Sequence, residues 1–268
     1  MRNGNNWWCI FWDRPFCAVL VHQESCMNKA LCFCTFAPML DILYRDEHLI
    51  AINKSHGLMV HRSSIAADVE EFAIQILRDQ IGEKVYPAHR IDRKTGGVLL
   101  FALNKEAEIA MQKQFMEGQV TKKYLAVLRG HTIHQESIDY PLRKENGTLQ
   151  DAHTDYTTLQ RVELPIPLGK HPTSRYSLVE AVPTTGRMHQ LRKHFAHIFH
   201  PIIGDRTHGC NKQNKFFLEQ WEMTTMLLHA SYQSFLHPVT GERIVIEAPL
   251  RDEFTGAMRV LGFDLKIS

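Results

Sequence analysis

His89-Arg90-Ile91-Asp92-Arg93-Lys94-Thr95-Gly96-Gly97-Val98-Leu99-Leu100-Phe101-Ala102 is the stretch on which the reading of this chain turns. One carboxylate, Asp92, stands among four basic side chains, His89, Arg90, Arg93 and Lys94. A Thr-Gly-Gly turn follows, and then an apolar run, Val98 to Leu103, with the length of a buried strand. On charge pattern alone this is a charged loop capping a strand. The sharper reading is a reactive aspartate in an anion-binding site, and the rest of the chain decides between them.

The 268 residues, 44% hydrophobic and 22% charged, fit a soluble globular protein of one or two domains. Lys+Arg exceeds Asp+Glu only by 31 to 29. Any site for a polyanion must therefore be a local patch. Cys9, Cys17, Cys26, Cys32 and Cys34 all fall in the first 38 residues, with Trp7, Trp8 and Trp12, and only Cys210 lies beyond. No Cys-x-x-Cys pair occurs, so a zinc ribbon is not expected. The apolar runs Phe16–Val21 and Ala30–Phe36 are too short to span a bilayer, and Arg2 is the sole early cation of a would-be secretory signal. The chain thus reads as cytoplasmic. Residues 1–38 are expected to lie outside the fold, as a variable extension or the product of a misplaced start, with Met39 the candidate start. Residues 39–268 form the folded domain on this reading.

Leu40–Tyr44 and Leu49–Asn53 read as two strands around the polar turn Arg45–His48. A helix is expected through Val69, Phe72, Ala73, Ile76 and Leu77, with Asp68 and Glu71 in capping-box spacing and Gly82 as its stop. Ala107, Ala110, Met111 and Phe115 mark a second helix ending near Gly118. Val120–Arg129, His153–Gln160 and Arg175–Val182 are β-like. A third helix is expected after Gly186, with Met188, Leu191, Phe195, Ile198 and Phe199 on its apolar face. Leu227–Leu236 and Arg243–Glu247 flank a hairpin loop. The pattern predicts an α+β fold, one mixed and mainly antiparallel sheet with flanking helices.

Lys122-Lys123-Tyr124 runs two cations into an aromatic at the head of a strand. A strand tyrosine is ordinarily half-buried packing, but a ring beside cations also suits stacking on an unpaired base. From Lys170 to His200 there are five Lys/Arg and one acid, Glu180. A helical wheel puts Arg187 and Arg192 on the flanks of the apolar stripe, where an arginine can bury its stem and deliver its head to a site. Gln190, Lys193 and His197 fall near the outer face. His194, His197 and His200 recur every three residues, which spreads their rings around a helix too widely for one ion, so no metal site is expected.

Together these pieces resemble the RluA-type pseudouridine synthases. The resemblance rests on His89-Arg90-Ile91-Asp92-Arg93-x-Thr95-x-Gly97-x-Leu99-Leu100, then Lys123-Tyr124, Thr185-Gly186-Arg187-x-His189-Gln190-Leu191-Arg192 and His200-Pro201-Ile202-x-Gly204-Asp205, in order. Asn53-Lys54-x-x-Gly57-Leu58-x-Val60-His61 matches as well. Arg175–Glu180, Lys193-His194 and Thr207-His208-Gly209 are most similar to the C-type branch, which acts on tRNA at uridine 65. Two positions depart from the family pattern: Gly96 replaces a usual Ser, and Ser55 a usual Pro.

The resemblance implies an enzyme that breaks the N1–C1′ bond of a uridine, turns the base and joins C5 to C1′. No redox or phosphoryl step is involved, so no cofactor or metal is implied. Asp92 is the implied catalytic carboxylate, acting as a nucleophile on sugar or base or by deprotonating the sugar. Arg192 is expected to pair with it, since a nearby opposite charge favours the ionised form. Tyr124 would stack on the flipped uracil and assist loss of the C5 proton. Arg90 would take the space the base vacates or grip the backbone, because the target must leave its stack. Lys122, Lys123, Arg187 and Lys193 are candidate phosphate contacts, with Leu191 lining the substrate site. The expected partner is tRNA, met by a monomer without an obligate protein partner. Ribosomal RNA is the alternative substrate, and a non-catalytic RNA-binding module or a His-based metal hydrolase the alternatives in class.

Overall fold

The computed structural model describes residues 39–61 and 72–264. Along the chain run β1 (Asp41–Arg45), β2 (Leu49–Lys54), α1 (Ala73–Ile81), β3 (Tyr86–Pro87), β4 (Gly96–Ala102), α2 (Lys105–Met116), β5 (Thr121–Arg129) and β6 (Gln135–Asp139). These are followed by β7 (Leu142–Arg143), β8 (Leu149–Gln150), β9 (His153–Leu164), β10 (Ser174–Pro183), α3 (Gln190–His197), α4 (Asn211–Trp221), β11 (Leu228–Leu236), β12 (Arg243–Glu247) and α5 (Asp252–Leu261). Ten strands form one sheet with the backbone order β1-β2-β4-β11-β5-β10-β9-β6, β3 pairing with β4 and β12 with β11. Every pair is antiparallel except β4 with β11, which run parallel through His229–Gly96 and Ala230–Gly97. The expected α+β architecture is the one found.

Helices cover both faces, which is why the central strands are apolar on both sides rather than alternating. From β2 and β4, Leu49, Ala51, Val98, Leu100 and Ala102 pack with Ala107 and Met111 of α2. Their opposite faces, Ile50, Ile52, Leu99 and Phe101, pack with Ala73 and Leu77 of α1. On β5, Leu125 and Val127 meet α4 and α5, while Ala126 and Leu128 meet Leu191 and Phe195 of α3.

The helix termini qualify the sequence reading. Asp68, Val69 and Glu71 lie outside the described residues. α1 begins at Ala73 with extended Phe72 in the N-cap position, and Gly82 closes it in a left-handed conformation as expected. α3 is shorter than its apolar pattern suggested. His189 (φ 57°) and Phe199 (φ 63°) adopt left-handed backbone just outside it, which leaves Met188 44% and Phe199 85% exposed. Helices α4 and α5 and the short strands β3 and β6–β8 carry no signal in the reading above.

Two close approaches shape the centre of the sheet. Gly97 (φ 102°) lies where a Cβ would come within 2.1 Å of the Ala230 carbonyl oxygen, so only glycine lets β4 meet β11 there. Ala230 is in turn opposite Tyr124 of β5, which sets Gly97, Ala230 and Tyr124 on one line across the sheet. Asp92 occupies the turn leading into β4.

Candidate active site

The Asp92 turn is closed by the Thr95 amide donating to the Asp92 carbonyl at 3.0 Å. It is tied to the turn after β2 from both sides. The Gly57 amide donates to the Arg93 carbonyl, and Arg93 Nε donates back to the Gly57 carbonyl, both at 2.9 Å. Beneath them Lys54, fully buried, donates Nζ to the carbonyls of Ser55, Leu58 and Arg93 at 2.9–3.0 Å. Burial lowers its pKa to about 7, against the opposing pull of the Asp92 charge. The glycine at 96 has a local reason: a Cβ there would sit 2.6 Å from the His56 ring, which instead fills that space and binds the Lys94 carbonyl.

His89 does not belong to the cationic cluster its sequence suggests. Its Nε2 faces both the Leu100 amide (3.1 Å) and the Gln233 side-chain amide (3.0 Å), and its ring stacks on Phe115. Burial, reinforced by the Lys122 charge, pushes its pKa down to about 3. The ring is neutral, with Nε2 as acceptor.

The second half of the site comes from α3 and the loop after it. Gln190, which the helical wheel assigned to the outer face, is 5% exposed. Its side chain accepts from the Arg187 amide (3.0 Å) and the Thr185 hydroxyl (2.7 Å), and donates to the His153 carbonyl (2.8 Å). The left-handed turn at His189 makes this possible: it starts the helix at Gln190 and turns that side chain inward to lock the Thr185–Arg187 loop.

Arg192, 6% exposed, spans two carboxylates. Its NH1 donates to Asp92 Oδ2 at 3.0 Å, while Nε and NH2 grip Asp205 at 2.7 and 2.8 Å. Asp205 is 1% exposed and also accepts from the amides of Thr207 (2.9 Å) and His208 (3.1 Å). Burial works against both charges, but mutual pairing outweighs it, raising the Arg192 pKa and lowering that of Asp205. The expected Asp92–Arg192 pair is therefore in place, and Asp205, given no role by the sequence reading, anchors the arginine. A signal was available: Asp205 is the only acid between Glu180 and Glu219. Asp92 differs from Asp205 in being open, its side chain 26% exposed. Among the described residues its side-chain hydrogen bond and ion pairs all fall on Oδ2, which leaves Oδ1 open to a substrate.

A third contact on Asp92 is His189, whose Nε2 lies 3.9 Å from Oδ2. His189 Nδ1 meets His208 Nε2 at 3.0 Å, so one ring donates to the other. If His208 donates, the His189 proton sits on Nε2 and faces the carboxylate; the reverse would aim a lone pair at it. The first arrangement is the favoured one. Burial lowers both histidine pKa values, with Asp92 (for His189) and Asp205 (for both) pulling the other way.

Tyr124 packs against the cluster in which Leu191 and Phe195 of α3 meet β5 and β10. Burial and then the Asp92 charge raise the Tyr124 pKa, so the phenol keeps its proton. The remaining expected contacts divide. Arg90 is exposed, and Arg187 is exposed with Nε on the Asp151 carbonyl at 2.9 Å. Lys193 is half-buried, its charge felt by His189 and His208. Lys123 is 3.2 Å from Glu180 and lies over the Tyr232 ring, and Lys122 is only 9% exposed. Those two lysines are thus less available to a phosphate than their sequence suggests. Of the three histidines at helical spacing, His194 binds Thr154 and the Tyr140 carbonyl, His200 binds the Arg129 carbonyl, and His197 stacks on Tyr140. His194 and His197 share Tyr140, and His200 is held separately on Arg129.

The arrangement offers an open carboxylate oxygen backed by a buried arginine, beside an un-ionised phenol and a neutral imidazole. It can attack or deprotonate an uncharged group of a substrate.

A model of the RNA pseudouridylate synthase family matches residues 48–197. The tRNA pseudouridine synthase C of Haemophilus influenzae is 44% identical over 237 residues, spanning 84% of this chain and 99% of the relative. That of Haemophilus ducreyi is 46% identical over 234 residues, spanning 84% and 96%. Among solved structures, human RNA Pseudouridylate Synthase Domain Containing 4 superposes with a TM-score of 0.64 at 25% identity, over 84% of this chain and 94% of that one. Human RNA Pseudouridylate Synthase Domain Containing 1 gives 0.62, also at 25% identity, over 82% and 94%.

Proposed function

The chain belongs to the RNA pseudouridylate synthase family and is a pseudouridine synthase, and from that premise we propose that its substrate is tRNA, with uridine 65 as the target. The observation that carries the catalytic reading is Asp92, with Oδ2 held by Arg192 at 3.0 Å and Oδ1 open. The names and the nearly full-length match of the relatives support tRNA over ribosomal RNA.

In the proposed reaction the uridine is flipped out of its helix, at a cost of a few kcal/mol, and lies over Tyr124 with Leu191 beneath. Asp92 Oδ1 addresses the sugar or the base, as a nucleophile or as a base at C2′, and the N1–C1′ bond breaks. The uracil turns, C5 joins C1′, and the C5 proton is lost while N1 gains one, so atoms balance without a redox partner. Tyr124, un-ionised, serves as a relay, handing its hydroxyl proton on toward N1 as it accepts the one from C5, so its own protonation is unchanged. Arg192 holds the carboxylate in position throughout, Arg90 enters the space left by the base, and Arg187 and Lys193 hold the RNA backbone. Residues 39–268 carry all these groups, and we assign recognition of the tRNA to that domain acting as a cytoplasmic monomer. No helix among the described residues is long and apolar enough to cross a membrane.

Pseudouridine mapping of tRNA and ribosomal RNA from cells with and without the gene tests the assignment. Loss of the modification at tRNA position 65 alone is expected. Loss confined to ribosomal RNA would replace the substrate, and an unchanged map would overturn the reading.

A further inference from the structure

Beside the Asp92 turn lies a cavity of about 250 Å³, with Gly57, Lys94, Arg206, Thr224 and Thr225 in its wall. It is several times the ~30 Å³ share of one water molecule, so a tetrahedral anion fits with part of its hydration. Lys94 and Arg206 both line it, Lys94 two residues after Asp92 and Arg206 next to Asp205. Neither ammonium nor guanidinium has an ion-pair partner among the described residues. The two charges work against each other: burial lowers the Lys94 pKa first and the Arg206 charge lowers it further, with only the engaged Asp205 opposing. Two like charges lining one cavity, with Thr224 and Thr225 also in its wall, are an arrangement that an anion relieves.

We propose that this cavity binds a phosphodiester of the RNA substrate next to the flipped uridine, clasped jointly by Lys94 and Arg206. The assignment rests on the RNA-modifying function proposed above. It gives Lys94 a purpose that its place in the charged motif leaves unexplained, and adds Arg206 to the substrate contacts. Both arms of the clasp follow closely in the chain on the two carboxylates that Arg192 spans, Lys94 on Asp92 and Arg206 on its anchor Asp205. Phosphate binding there holds the RNA strand beside the Asp92 turn.

The test is tRNA affinity across a salt series for wild type, Lys94→Ala, Arg206→Ala and the double variant, with kcat and KM measured alongside. Each phosphate neutralised contributes a slope of about 0.7–0.9 in log affinity against log salt. Each single variant should lose one such increment and raise KM with kcat largely kept. The double variant should lose no more than either single, because both side chains serve one phosphate. Arg206→Lys should retain the slope. Slopes unchanged in the single variants, or a double loss equal to the sum of two, would overturn the shared site. Inorganic phosphate, titrated as the free anion, separates the sources: protection by phosphate in wild type with no slope change on tRNA would mean a free-anion site and refute the RNA clasp. Failure of the function itself would appear differently, as wild-type protein forming no pseudouridine in tRNA.

Discussion

Replacing Asp205 by Asn perturbs the site at its least exposed point. The carboxylate is 1% exposed and takes two of the three Arg192 hydrogen bonds that reach Asp205 and Asp92. Asparagine keeps the volume and can still accept the Thr207 and His208 amides, but it loses the charge and turns an N–H₂ toward a cation. Arg192, itself 6% exposed, then has Asp92 as its only counter-ion. Breaking a buried pair from one side costs about 3–5 kcal/mol, because it strands the other charge. In a domain of this size that is a fall of about 6–20 °C in Tm. The freed guanidinium should also turn both its remaining donors on Asp92 and occupy the open oxygen. A displacement of that order lowers kcat by about 100-fold or more, with tRNA affinity nearly unchanged. Thermal unfolding, filter binding and tritium release from tRNA labelled at uridine C5 measure the three quantities. The additional variant Arg192→Met on the Asp205→Asn background should recover part of the lost stability, since no charge is then stranded. An Asp205→Asn protein that melts and turns over like wild type would refute the anchoring argument.

Gly97→Ala should destabilise the fold and abolish turnover, because its Cβ would lie 2.1 Å from the Ala230 carbonyl oxygen; a stable, active variant by thermal unfolding would contradict the close-approach argument. Lys54 makes stability depend on pH. Its pKa is about 7 folded and 10.5 unfolded, so the unfolded chain binds more protons between those values and stability rises with pH across that window. The penalty, fully present below pH 7, is on the order of 5 kcal/mol at 1.36 kcal/mol per pH unit. Urea denaturation of Lys54→Met against wild type should show this rise missing from the variant, and parallel curves would dispose of it. His189 and His208 are held neutral below the ordinary imidazole range, chiefly by burial. The pH profile of kcat/KM should therefore stay level through pH 6.5 and decline only below it, and a break near 6.5 that disappears in His208→Phe would contradict the neutral pair.

Much of this geometry was legible because it follows from local rules. Strands β1, β2, β4, β5, β10, β11 and β12 announce themselves by apolar or β-branched runs between turn residues, and the placement of Arg192 against Asp92, a hundred positions apart, follows from family motifs. What the sequence hid depends on tertiary context. His89 looks like a cation until burial against Phe115 and two donors into Nε2 show it to be neutral. Gln190 looks like a surface position until the left-handed His189 shifts the helix start. Cys210 and Arg251 hold the N-cap positions of α4 and α5 without a side-chain cap, so neither helix shows a capping residue, although Asp252 and Glu253 open α5. Strands of two residues, as in β3, β7 and β8, are too short to show a period at all. Asp205 sits in a glycine turn whose sequence suggests only shape, and its role emerges once Arg192 is found spanning both acids.

The central claim is that the open oxygen of Asp92, and not the surrounding charge, performs the chemistry. Asp92→Asn retains the shape of the side chain and an acceptor for Arg192. The account predicts a folded protein that binds tRNA as wild type does and releases no tritium from 5-tritiated uridine. Tritium release at a rate comparable to wild type would contradict it.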